Sequence, residues 1–103
     1  MNLTGSGVPQ NYVEALHWFR LVAQQGNVHG QHNAGVLYAS GMGTPRDYVK
    51  AERWFRLAAE QGHAGSQSNL GQMYENGWGV EQNYAEAERW YGLAAKQGYA
   101  NTQ

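Results

Sequence analysis

The chain has 103 residues and a net charge of −1, from 7 Lys+Arg against 8 Asp+Glu, so no electrostatic field draws it toward nucleic acid or anionic lipid. Its 42% hydrophobic residues, with 4 Trp and 7 Tyr, exclude disorder, and the lack of Cys excludes disulfides, a thiolate nucleophile and zinc-finger ligands. No apolar run approaches the ~18 residues of a membrane span, and Met1-Asn2-Leu3-Thr4-Gly5 lacks the basic and apolar parts of a signal peptide; a soluble chain is expected, cytoplasmic, or exported with its leader removed.

The same residues return every 36 positions: Gly7, Gly43 and Gly79; Tyr12, Tyr48 and Tyr84; Ala15, Ala51 and Ala87; Trp18, Trp54 and Trp90; Leu21, Leu57 and Leu93; Gly26, Gly62 and Gly98. A period of this size means a stack of one supersecondary unit, each burying its apolar face on its neighbours. One repeat domain over 1–103 is expected, with a partial unit 1–31 and whole units 32–67 and 68–103. Each whole unit reads as two helices, A then B, so about two and a half units give five helices.

In chain order, the first unit offers a turn at Gly5-Ser6-Gly7 and then helix B, where Asn11-Tyr12-Val13-Glu14 reads as a capping box. On this helix Tyr12, Ala15, Leu16, Trp18, Phe19, Leu21, Val22 and Ala23 cover roughly 200° of the circumference. So wide a stripe predicts contact both with helix A of its own unit and with the next unit, leaving His17, Arg20 and Gln24 on the solvated, convex side. Helix A of the second unit is predicted from about Gln31 to Ser40, ended by Gly41-Met42-Gly43-Thr44-Pro45. Asp47 is the predicted N-cap of the following helix B, which runs to Gln61 with Gly62 in the left-handed position past its end. Lys50 stands where the other units have Glu14 and Glu86, which weakens this cap; Glu52 with Arg56 and Arg56 with Glu60 are spaced as i,i+4 ion pairs. The third unit repeats the plan, with a capping box at Asn83-Tyr84-Ala85-Glu86 and with Arg89, Gly92 and Lys96 facing outward.

Helix A separates a constant side from a variable one. Ala34, Gly35, Leu37 and Tyr38 match Leu70, Gly71, Met73 and Tyr74, and the interior glycines predict a helix backbone passing close by. The opposite side changes from unit to unit, and His32, Val36 and Ala39 with Ser68, Gln72 and Glu75 are the predicted concave, partner-binding surface.

Asn69, Gly71, Tyr74, Gly77 and Gly79, followed by Tyr84, Ala87, Trp90, Tyr91, Ala94, Ala95, Gln97 and Gly98, form a pattern that matches again from Asn33 through Gly62 and in part from Gly5 through Gly26. This pattern resembles the Sel1-like repeat, a relative of the tetratricopeptide repeat. Val22 and Thr44 are minor departures, and the cysteine-rich branch of the family is excluded. The resemblance implies an all-α, right-handed α-solenoid of stacked helix-turn-helix repeats that serves as an adaptor or scaffold in protein complexes, often in bacteria. It carries no catalytic residues, so none are assigned.

Sharper chemistry does not assemble. The Gly-x-Gly pairs lack the strand and third glycine of a dinucleotide fingerprint and the Gly-Lys-Ser/Thr of a phosphate loop. The spacing of His29 and His32, with His63 at a similar turn, does not by itself supply the further ligand and acidic partner that a metal site wants, and the three read as polar turn residues. Asp47, the only aspartate, is used as a cap, so no acid–base set converges, and no enzyme activity, cofactor or metal is expected. The repeated tryptophans sit on the apolar stripe and read as core, and no basic track accompanies them for RNA. The function expected is binding of a protein or peptide on the helix-A side, with no nucleic acid or membrane partner. The alternatives are a structural fragment of a longer array without its own ligand or, behind it, an RNA-binding helical repeat. With no helix A to cover it, the first helix B is expected to self-associate as a homodimer through Leu16, Phe19, Val22 and Ala23.

Overall fold

The computed structural model describes residues 8–98. Five helices follow one another, α1 (Val8–Gln24), α2 (Val28–Ser40), α3 (Tyr48–Glu60), α4 (Ala64–Asn76) and α5 (Tyr84–Lys96), each packed on the next, in a body 42 × 24 × 23 Å. Helices α2 and α4 are the A helices of the sequence pattern; α1, α3 and α5 are the B helices. The fold is the expected α-solenoid. Its core runs along the stack through Leu16, Ala34, Leu37, Tyr38, Ala51, Phe55, Ala59, Leu70, Met73 and Trp90.

Both kinds of turn are set by local chemistry. Gly41 closes α2 in the left-handed conformation, with its N–H donating to Leu37 O at 2.9 Å. At Gly43 (φ 77°) a Cβ would stand 2.5 Å from Tyr12 O, and at Gly79 (φ 72°) 2.5 Å from Tyr48 O. The turn of one unit thus lies directly on the backbone of the preceding B helix, where only glycine fits. The chain is then tied back to its own A helix, with Asp47 N–H donating to Tyr38 O and Asn83 N–H to Tyr74 O. Asp47 and Asn83 cap α3 and α5 by accepting from Lys50 N and Glu86 N. Gly62 takes the expected left-handed conformation after α3.

Consecutive units are joined by glutamines. The Gln61 amide donates to Gly26 O and to Gln31 Oε1 at 2.7 Å, while the buried Gln31 donates to Ala23 O. One unit on, Gln97 donates to Gly62 O and to Gln67 Oε1 at 3.0 Å, and the buried Gln67 donates to Ala59 O. Each buried amide is satisfied by a partner that the next unit brings.

Several expectations are corrected. α1 starts at Val8, so Asn11 lies inside the helix and not at its N-cap. In the other units the cap is placed by a bond to Tyr38 O or Tyr74 O; the equivalent position, Asn2, and the turn at Gly5 and Gly7 lie outside the described residues. The third capping box is half made, because Glu86 turns to Arg89 and Asn83 N–H goes to Tyr74 O. α2 begins three residues early, capped by Asn27, which places His29 and His32 on the helix rather than in a turn. At Gly35 and Gly71 the close neighbour is an aromatic ring, Phe55 and Tyr91 respectively, and not a helix backbone. Arg56 pairs with Glu52 and with the Tyr74 hydroxyl, and among the described residues makes no ion pair with Glu60.

Candidate functional site

Helices α2 and α4 lie side by side on one face of the stack. They touch near their N-terminal ends, where His32 Nδ1 and Ser66 Oγ are 2.7 Å apart. Toward their other ends a cavity of ≈ 170 Å³ opens between them, lined by Val36, Ala39 and Ser40 of α2, by Asn69, Gln72 and Met73 of α4, and by Phe55 beneath. Tyr48 and Trp78 complete the lining. Their rings stack at 5.4 Å and 8°, and the Arg46 guanidinium lies 5.5 Å over the Tyr48 ring. Trp78 remains 41% exposed, an amphipathic surface fixed in place by its neighbours.

Three of the six predicted partner-binding residues, Val36, Ala39 and Gln72, meet in this cavity. Glu75 is exposed beside it but is engaged, its carboxylate accepting the Tyr91 hydroxyl at 2.7 Å. Burial, and then that bond, push the Tyr91 hydroxyl pKa up to about 12. Ser68 is a correction: at 3% exposure it is core, because the small side chains of Gly65, Ser66 and Ser68 let the first half of α4 pack closely between α3 and α5. His32 is half-buried at the far end of the α2–α4 seam. Trp78 was not anticipated. Its signal was there, since a tryptophan replaces Met42 and Ser6 at that point of the repeat, between two turn glycines.

The histidines gather where the two units meet. His63 caps α4, its Nδ1 accepting from Ser66 N at 3.0 Å. The rings of His32 and His63 are 4.3 Å apart, and those of His29 and His63 are 5.8 Å apart. Burial, then the neighbouring His63 and His29, lower the His32 pKa to about 4, and burial, then His29, lower that of His63. The described residues hold no group of three or more His, Asp or Glu placed to bind a metal ion.

The self-association expectation is corrected in part. Leu16 and Ala23 are buried within the chain against α2, leaving no area for a partner. Phe19 is half-buried and Val22 is at the edge of exposure. The reading of the tryptophans as core fails for Trp18, which is 63% exposed, holds for Trp90 at 4%, and is intermediate for Trp54. None of the described helices is long and apolar enough to cross a membrane.

Stacked helical hairpins with an aromatic-edged groove between their A helices define a helical-repeat module. The Sel1 repeat family model matches residues 1–27, 28–63 and 64–99, and the chain belongs to that family. Two solved structures are similar. A protective antigen of uropathogenic Escherichia coli strains with an SLR fold is 43% identical with a TM-score of 0.86, over 93% of this chain and 21% of that one. A Sel1 repeat protein from Oxalobacter formigenes is 40% identical with a TM-score of 0.79, over 81% of this chain and 63% of that one. The chain thus spans about a fifth of the first and under two thirds of the second. No curated protein matches the sequence significantly. Members of this family commonly act as protein-interaction scaffolds and are typically non-catalytic.

Proposed function

We propose that this chain is a non-catalytic adaptor that holds a peptide segment of another protein in the α2–α4 groove. The observation that carries the reading is the exposed Trp78, stacked on Tyr48 at one end of a cavity lined by Val36, Ala39 and Gln72. Preformed grooves bind with little ordering cost, and aromatic anchors in pockets supply most of the energy in peptide recognition. Gln72 and Asn69 supply side-chain amides that can pair with an extended backbone. The test is a peptide-display selection against the whole chain, followed by measurement with Trp78→Ala and Gln72→Arg. Selected peptides should lose binding to both variants while the melting temperatures stay within a few degrees of the parent. Peptides that bind both variants as tightly as the parent would remove the groove as the site.

A second reading rests on α1, whose outward side carries Trp18 at 63% and Val13 at 55% exposure, with Leu21 and Val22 beside them. Apolar surface of this kind supports association with another copy or a further repeat. Sedimentation of the parent and of Trp18→Glu tests it: association that survives the substitution places the contact elsewhere.

A further inference from the structure

A second cavity of ≈ 320 Å³, sharing no lining residue with the α2–α4 groove, lies between α1 and α3 and is lined by Arg20, Tyr38, Lys50, Arg53, Trp54 and Leu57. Three cations surround it and no carboxylate lines it. Among the described residues none of the three makes an ion pair. Their helical neighbours explain why: no acid stands three or four residues from Arg20 or Arg53, and Asp47, three before Lys50, is the α3 cap. Lys50 Nζ lies 5.6 Å over the buried Tyr38 ring, and Trp54 and Leu57 add a partly open apolar wall.

The equivalent place one unit on, between α3 and α5, is neutralised. Arg56, the counterpart of Arg20, is held by Glu52 and by the hydroxyl of Tyr74. Arg89, the counterpart of Arg53, bonds Glu86 at 2.9 Å and lies 4.5 Å over Trp90, which is buried. Two exchanges separate the cavities. Leu16 stands where Glu52 would hold the arginine, and Lys50 stands where Glu86 would. They turn a self-paired surface into an open cationic one.

We propose that the α1–α3 cavity is a binding site for a short acidic peptide segment carrying one large apolar side chain. The carboxylates pair with Arg20, Lys50 and Arg53, and the apolar side chain covers Trp54 and Leu57. Lys50 and Arg53 are one helical turn apart, a spacing that separate carboxylates along a peptide can meet. The volume is at the low end of ligand pockets, which run about 300–1,000 Å³; it suits one side chain with charges around it. The site is independent of the α2–α4 groove.

The test titrates the whole chain with acetyl-Asp-Glu-Phe-Glu-Asp-amide at low ionic strength and follows the Trp54 indole N–H by NMR. A saturable shift is expected, with affinity falling about tenfold or more for the Asn-Gln-Phe-Gln-Asn counterpart and for a Ser in place of Phe. Lys50→Glu restores the Glu86-type pairing with Arg53, so it should weaken the peptide by a similar factor without lowering the melting temperature, since it adds an ion pair within α3 and an acid in the first helical turn is favourable. Arg20→Gln should weaken it as well, and Trp78→Ala should leave it unchanged. Equal binding of the neutral peptide, or undiminished binding to Lys50→Glu, overturns the proposal. So does ADP binding more tightly than the peptide, which would assign the cavity to a small phosphorylated ligand.

Discussion

Acidification should loosen the joint between the second and third units, because three histidines meet there. The His32 pKa is lowered to about 4 and that of His63 is lowered too, so the folded state holds these rings neutral while the unfolded chain takes up protons near 6.5. The unfolded chain therefore binds more protons as pH falls below 6.5, and folding stability falls with it, the His32 loss being complete near pH 4. A histidine moved this far corresponds to at most about 3 kcal/mol at full effect. The His32 ring is partly open to solvent, which screens it, and about 1 kcal/mol between pH 7.5 and 5 is the reasonable expectation. For a domain of this size that lowers the melting temperature by about 4–8 °C. Carboxylates also titrate at lower pH, so the measurement is the difference between the parent and His32→Asn, each melted across pH 7.5 to 4. The parent curve should fall more steeply below pH 6.5. Parallel curves would show that His32 titrates normally, and that its contacts with Ser66 and His63 do not keep it neutral.

Gly43→Ala combines a left-handed backbone with a Cβ against Tyr12 O, and should cost about 2–4 kcal/mol by chemical denaturation; a loss under 1 kcal/mol would mean that the turn shifts freely. Gly92→Ala, at an exposed helical position with none of the described residues within 4 Å of the added Cβ, should instead stabilise by about 0.5–1 kcal/mol, and a loss there would reveal an unseen contact. Trp90→Ala should cost about 3–5 kcal/mol and Trp18→Ala under about 1, the reverse order showing that the burial of these two residues is misassigned. Trp90→Phe should cost less than the alanine change, because the buried indole Nε1 has no hydrogen-bond partner to lose among the described residues; equal losses would mean that this nitrogen is bonded in solution.

The helices, the turns and the family were legible because each depends on short-range rules that repeat: apolar spacing, glycine where a left-handed residue is needed, Asp47 and Asn83 as caps. Partition of the helix faces was less legible. A helical wheel treats Ser68 and His32 as equivalent, yet Ser68 is buried where α4 packs between α3 and α5, and His32 stays half open. Gly35 and Gly71 signalled a close approach correctly, but spacing alone does not distinguish a passing backbone from the face of Phe55 or Tyr91. Lys50 reads locally as a weaker cap. Its role in opening a cationic cavity emerges only when Arg53 and Arg20, on two different helices, are placed beside it. Trp78 needed the partner ring of Tyr48, thirty residues away in sequence, before its place in the groove had meaning.

The glutamine joints also constrain how such a chain can change length. Gln61 reaches Gly26 and Gln97 reaches Gly62, each across 35 residues, and every donor finds an acceptor supplied by an identical position one unit back. Adding or losing a single residue within that interval would slide an amide off its carbonyl and strand buried Gln31 or Gln67 without a partner. Duplicating or deleting a complete 36-residue repeat leaves every amide paired as before. Growth in complete steps is therefore nearly free of structural conflict, whereas partial steps are penalised at once, and the strict spacing of the sequence is what that asymmetry leaves behind.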